Sequence, residues 1–291
     1  PAAYYFPTFK RMSSLEVLKG APLLRYGPQT TGGVINLIST PIPDEQKGYV
    51  EAVTNERGST DVHATYGDTN GDWGYLVETV QRSAQGFKDI DRSNRNSGFD
   101  ISDYVGKLRW QGDRQSVTAK LQYSEETSNS TYVGLTDADF NQDPNRRYGL
   151  SSPDQMDNTH SGVSLTHQFE WSDNVSSTTT LYRNDFKRNW YKLSGAGNII
   201  DQANAGDANA QGILDGTVDT SGLNYKNNAR EYVSQGVQTN FDVNIGNHEF
   251  DFGARAHEDE MDRFQPVDVY DQVNGSLVFQ NSVAPTGSNN R

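Results

Sequence analysis

Apolar and polar residues take turns along most of this chain. Between Val117 and Tyr123, the apolar Val117, Ala119, Leu121 and Tyr123 share one parity, while Thr118, Lys120 and Gln122 share the other. Val233, Val237, Phe241 and Val243 are set against Ser234, Gln238, Asn240 and Asp242 in the same way. Phe250, Phe252, Ala254 and Ala256 are set against Asp251, Arg255 and His257. A period of two marks a strand with one apolar face. On this basis strands are predicted over 47–56, 59–68, 72–82, 103–111, 115–126, 159–171, 175–188, 229–243 and 248–260. The run VSSTTTLYRNDF, which opens the seventh of these, gives no clear face.

The links between strands fall into two kinds. DTNGD, QGDR, SDN and NIGN are short, and Asn70-Gly71 is a tight-turn signal. The stretches 83–102, 127–158, 189–228 and 261 onward are long. A compact soluble domain rarely tolerates structureless loops of that length. An outer-membrane barrel expects this alternation, with short periplasmic turns and long outer loops. Trp73, Tyr75, Trp110, Trp171 and Trp190 lie near strand ends. They fit aromatic belts at a bilayer interface, and they fit cross-strand aromatic pairing equally.

Composition sharpens this picture. The 291 residues are 33% hydrophobic, and counting the 27 glycines brings the apolar share to roughly 42%, below the usual 45–50%. A barrel with a wet interior accounts for the deficit, because its polar face needs no dry core. No run of 18 apolar residues occurs, which excludes a membrane-spanning helix but not spanning strands. A net charge of −13 argues against a nucleic-acid partner. The absence of cysteine excludes disulfides and thiolate metal sites. No secretory leader is visible and the chain opens on Pro1, so its start is expected to differ from that of the gene product. About nine strands do not close a single-chain outer-membrane barrel, where an even number is the rule. The chain is therefore expected to be part of a larger one.

The stretch YGPQTTGGVINLIST, residues 26–40, tests for phosphate chemistry. A P-loop needs Lys and Ser or Thr after its last glycine, where Gly33 and Val34 stand here, and no G-x-G-x-x-G opens a helix. The glycines read instead as backbone freedom at the entry to a strand. MSSLEVLKGAPLLRYGPQTTGGVINLIST resembles the end of the plug domain of TonB-dependent outer-membrane receptors, with its pattern of EV-L-KG, YGP and GG-V-IN. YLVETVQRSAQGFKDID, TYVGLTDADFNQDPNRRY and TTTLYRNDFKRNWYKL resemble the ferric-citrate branch of that family. The resemblance implies an all-β fold: a partial transmembrane antiparallel β-barrel, about nine of about 22 strands, plus the C-terminal part of a small α+β plug. It implies a boundary between plug, 1–43, and barrel, 44–291. It also implies uptake of a ferric chelate across a Gram-negative outer membrane, coupled to the TonB energy-coupling complex through a segment upstream of Pro1.

Within that frame Glu16–Leu18 and Val34–Ile38 are expected as plug strands, Gly20 to Leu24 as a short helical piece and Gly27-Pro28 as a bend. Gln29 and Thr30 are expected at the apex against ligand. An anionic chelate calls for forked cationic donors, which arginine supplies. Arg255 and Arg263 share the parity opposite Phe250 and Phe252, and Arg146 and Arg147 lie in a long outer loop. These four complete the expected ligand set, and Lys19 is expected to tie plug to barrel. DADFNQD has carboxylates at the spacing of half a calcium loop, but Gln142 and Tyr148 occupy the positions of the required glycine and glutamate. No HExxH spacing and no nucleophile elbow occur, so no metal, cofactor or enzymatic role is expected. Two other readings remain open at this point: the same machinery with another metal chelate or an oligosaccharide as cargo, and a soluble extracellular β-protein that binds glycans.

Overall fold

The computed structural model describes residues 7–20 and 32–284. A leading hairpin pairs β1 (Met12–Leu18) with β2 (Val34–Ser39). The chain then enters a sheet through β3 (Lys47–Thr54), β4 (Thr60–Asn70) and β5 (Trp73–Ala84). A two-residue strand β6 (Asp89–Ile90) precedes β7 (Phe99–Gln111) and β8 (Gln115–Ser128). Helix α1 (Asp137–Gln142) and β9 (Arg146–Arg147) lead to β10 (Gln155–Ser172) and β11 (Val175–Ser194). Helices α2 (Ala196–Asn204) and α3 (Ala208–Asp215) come next. They are followed by β12 (Thr220–Ile245), β13 (His248–Phe264), β14 (Val267–Val273) and β15 (Ser276–Val283).

All the pairings in the large sheet are antiparallel, it contains 11 strands, and it does not close on itself among the described residues. Each of the nine predicted spans is a strand. The stretch from 261 onward departs from the long loop expected there. After Pro266 the chain resumes pairing, so β12 bonds β13 over Ala229–Ile245 and β14 over Thr220–Lys226. The turn to β15 has Asn274 at φ 49° and Gly275 at φ 74°, the two left-handed residues of a type I′ hairpin. The stretch 189–228 also differs: β11 runs on to Ser194, the two helices fill the middle, and β12 begins at Thr220.

Register from β3 to β13 fixes two faces. One carries Val50, Tyr66, Trp73, Val77, Leu108, Leu121, Val163, Trp171, Leu181 and Phe252, all exposed. Tyr104 is directly opposite Tyr123, and Trp73 directly opposite Trp110, so the aromatics here are cross-strand pairs on the apolar face. Trp190 is an exception, since it shares a parity with Arg188 on the other face. Along β8 the apolar run from Val117 to Tyr123 covers about 20 Å, close to the height of a barrel's lipid-facing band. Beyond it the strands continue. β12 has 26 residues, roughly 86 Å of strand, where a spanning strand needs about 9–11 residues.

The opposite face is polar and receives the leading hairpin. The link between hairpin and sheet lies so close to Gly67 that an added Cβ would stand 2.7 Å from Pro43 Cδ and 2.5 Å from the Tyr75 carbonyl oxygen. A Gly67→Ala substitution should therefore lower stability by about 1–3 kcal/mol through overpacking. Thermal unfolding in detergent would measure this, with Gly134→Ala, where a Cβ meets nothing within 4 Å, as the neutral comparison.

Candidate ligand-binding face

The polar face has three zones. In the lowest, the leading segment is held by ions and hydroxyls. Arg11 Nε donates to Asp103 Oδ2 at 2.7 Å, and both residues are 1% exposed. Lys107 Nζ donates to Ser39 Oγ at 2.8 Å and to the Thr40 carbonyl at 2.5 Å. Thr40 Oγ1 donates to Glu78, whose carboxylate lies 2.8 Å from His63 Nε2. Lys10 reaches Glu51 at 3.2 Å. The expected tie at Lys19 is thus supplied by its neighbours earlier in the chain, Lys10 and Arg11, which lie beside β1 rather than at its end.

Above this zone the register brings basic residues side by side. Arg188 is directly opposite Arg230, and Arg230 directly opposite Arg263. Three arginines therefore stand in one transverse row on adjacent strands, about 4.8 Å apart. Arg188 is buried, Arg230 and Arg263 are half-buried, and Arg230 Nη1 donates to Tyr232 at 3.3 Å. Asn158 continues the row on β10. Parity alone had pointed to Arg263. Arg188 escapes parity because the seventh strand shows no face, and Arg230, though on the polar parity of the span 229–243, gives no sign in the sequence of the arginines across from it. Arg255 shares the face lower down, where its Nε donates to Tyr182 at 3.0 Å. The Tyr182 hydroxyl lies 2.6 Å from His257 Nδ1, and His257 Nε2 lies 3.0 Å from Asp259.

The third zone is a cap made from the long connections. Val133, Tyr148, Leu150, Leu193, Ala196, Leu214, Leu223 and Tyr225 form its buried core. Thr136 caps α1 by accepting from Asp139 N, and Asp207 caps α3 by accepting from Asn209 N and Ala210 N. Arg146 braces three connections at once. It contacts Asp91 at 3.0 Å, Asp139 at 3.0 Å and Asp215 at 2.7 Å. Its charge is committed to the cap's own structure, which also explains the carboxylate-rich DADFNQD run: Asp139 serves the brace. Arg147 turns its Nη1 back to the Pro144 and Arg146 carbonyls. Gln29 and Thr30 lie outside the described residues.

Two carboxyls in the cap are shifted in opposite senses. Burial pulls Asp139 up, but hydrogen bonds from Tyr148, Gln211 and Thr136, with Arg146 nearby, outweigh it and hold the group below its ordinary range. Burial pushes Asp154 up to about 6, against amide hydrogen bonds from Tyr132 and Leu193 and the charge of Arg95. Those two amides tie the second connection to β11, at 2.8 and 3.1 Å.

Two outcomes follow. Arg11→Ala strands the Asp103 carboxylate in a buried site and should cost about 3–5 kcal/mol, measurable by denaturant unfolding, with Arg11→Ala/Asp103→Ala less damaged than the single variant. Asp154 binds its proton more tightly folded than unfolded. Its contribution to cap stability therefore rises as pH falls from about 6 towards an unfolded value near 3.9, by at most about 3 kcal/mol. Proteolysis rates of the cap at pH 7 and pH 5 should show this protection, and Asp154→Asn should abolish the difference.

No protein-family model matches the chain. It is 24% identical over 195 residues to the "Probable TonB-dependent siderophore receptor PirA" of Acinetobacter baumannii, a match covering 59% of this chain and 24% of that protein. The unliganded ferric citrate transporter FecA has a similar structure, with a TM-score of 0.64 at 18% identity over 94% of this chain and 38% of that one. The ferric yersiniabactin uptake receptor FyuA from Yersinia pestis gives a TM-score of 0.64 at 14% identity, over 91% of this chain and 38% of its own. The chain thus spans well under half the length of these proteins, and at such identities what it shares with them is a fold, that of a fragment of a TonB-dependent receptor barrel.

Proposed function

We propose that this chain is the plug end and adjoining barrel wall of a TonB-dependent outer-membrane receptor that imports a ferric chelate of carboxylate type, such as ferric citrate. The exposed apolar face meets lipid of a Gram-negative outer membrane. The leading segment, residues 1–43, is the end of the plug, and 44–291 belong to the barrel and its outer loops. The energy-coupling complex acts on the plug from the periplasmic side.

The observation that carries the cargo reading is the row Arg188, Arg230 and Arg263. Within it Arg230 and Arg263 are like charges placed directly across the sheet, which repel one another, so a counter-charge between them is stabilising. A chelate presenting several carboxylates supplies one. Guanidinium groups pair with carboxylate oxygens two at a time, and they do so more strongly where water is partly excluded. The row lies above the zone that holds the leading segment and below the cap, where a solute entering from outside would meet the plug. A metal chelate without carboxylates, or a neutral oligosaccharide, would bring no counter-charge to Arg230 and Arg263. A soluble glycan binder has no use for the exposed apolar face.

Arg230→Gln/Arg263→Gln in the complete receptor should weaken ferric citrate binding by about ten- to a hundredfold, one to two lost charge-assisted contacts. Radioactive iron uptake in an iron-starved host lacking its own receptor should fall in parallel. Normal citrate-dependent uptake by this variant would refute the cargo assignment.

A further inference from the structure

A second basic group stands above the arginine row, and the proposed function does not use it. Lys192 on β11 is directly opposite Lys226 on β12. Lys192 shares a parity with Arg188, four residues and about 13 Å further along the strand. Its Nζ sits 3.4 Å from the Tyr132 ring centroid and 3.9 Å from that of Trp190, and the two rings meet edge to face at 5.3 Å. The preceding residue, Thr131, is 3.5 Å from Lys88 Nζ through its Oγ1.

Lys88 comes from the other side of the cap. β6 and β9 pair in parallel, Asp89 with Arg146 and Ile90 with Arg147. Alternation along this small ribbon gives it two unlike faces. One carries Asp91 and Arg146, joined in the brace. The other carries Lys88, Ile90 and Arg147. Burial lowers the pKa of both the Lys88 ammonium and the Arg147 guanidinium, Arg147 lowers that of Lys88 further, and Asp143 works against the shift at Arg147. Among the described residues, no carboxylate stands within 4.0 Å of Lys88, Arg147, Lys192 or Lys226.

That is unusual for a chain with 38 acidic and 25 basic residues. Acidic side chains are abundant in the cap, and three of them are spent on Arg146 alone. Four cations gather at the inner edge of the same cap, two of them directly opposed, and among the described residues aromatic rings rather than a paired carboxylate face Lys192.

We infer that Lys192 and Lys226, with the Tyr132–Trp190 pair beneath and Lys88 and Arg147 beside them, form an outer subsite that captures an oxyanionic group, carboxylate or phosphate, of a solute arriving from outside. The inference rests on the proposed import function for its direction, since the subsite stands four residues along the strands from the arginine row. It supplies a step between bulk solvent and that row: long-range attraction by strongly hydrated ammonium groups, then transfer to forked guanidinium donors. Ammonium groups act as point charges and release an anion readily, whereas arginine pairs hold it.

The test uses the complete receptor in detergent, with inorganic phosphate and ferric citrate as probes and quenching of tryptophan fluorescence as readout. Lys192→Gln/Lys226→Gln should weaken phosphate binding at least tenfold. It should also slow ferric citrate association about tenfold at low ionic strength while dissociation changes little, and it should flatten the dependence on salt. Arg230→Gln/Arg263→Gln should instead speed dissociation. Without ligand Lys226→Gln alone should melt no lower than wild type, because it relieves the repulsion and leaves Lys192 on its two rings, and Lys192→Arg/Lys226→Arg should retain capture. Unchanged association and phosphate binding in the lysine variant would overturn the subsite while leaving the cargo reading intact. Phosphate binding that depends on the two lysines, in a receptor that ignores ferric citrate, would support the subsite and remove the cargo reading.

Discussion

Everything in this molecule depends on the hydrogen-bond register from β3 to β13, which shifts only between Glu170 and Ser172 beside the β10–β11 turn. A strand's side chains alternate between faces, so a slip of one residue would turn every apolar side chain inward and every charged one outward. Here the register is pinned from both sides at once. Tyr104 meets Tyr123 and Phe241 meets Phe252 on the apolar face, while Arg11 finds Asp103 and Thr40 finds Glu78 on the polar one. The two sets are satisfied by the same pairing and by no shifted one. That constraint is why a chain so poor in apolar residues holds a single fold: among the described residues its buried side chains are as often polar as apolar, and the register sets where the polar ones meet partners.

The character of the seat beneath the leading segment has a mechanical consequence. Apolar contacts resist separation in proportion to the area they expose to water, about 25 cal/mol per Å². Contacts such as Arg11–Asp103 or Lys107–Thr40 behave differently. Each charge gave up hydration on burial, and it recovers that hydration when both partners re-enter water together. Removing one partner is costly, while withdrawing the whole segment is much less so. If the leading segment is the plug of the proposed importer, seated at rest yet moved by a pull, it is better held in this way than by a greasy interface. The glycines at 67 and 74 serve the same end, since they let the connecting link run close to the wall without apolar side chains interlocking behind it.

The strands were legible because alternation is local, and a period of two survives any tertiary context. Arg263 could be placed from its parity with Phe250 and Phe252 for the same reason. Arg188 could not, because the segment leading to it has hydroxyls on both parities, and without it the parity of Arg230 and Arg263 gives no row. The cap was opaque for a different reason. Tyr148 comes from one long stretch and Leu193, Leu214 and Tyr225 from another, and nothing in their neighbourhoods announces that they share a core. Arg146 shows the cost most clearly. As one of two arginines in a polar loop it resembles a ligand contact, yet Asp91 and Asp215, 55 and 69 residues away, converge on it and make it structural.

The brace and the basic track belong to one argument. Unlike a loop that folds over its ligand, a cap with its own apolar core and a triply bonded arginine holds its surface in a fixed shape. Fixed shape is what lets like charges stay together, because a flexible loop carrying Lys88 or Arg147 would swing away from Lys192 and relieve the repulsion. The carboxylates spent on Arg146 therefore do two things. They hold the connections together, and by being occupied there they leave the ammonium groups on the other side of the ribbon without neutralising partners. Rigidity on one face of the cap is the condition for electrostatic attraction on the other.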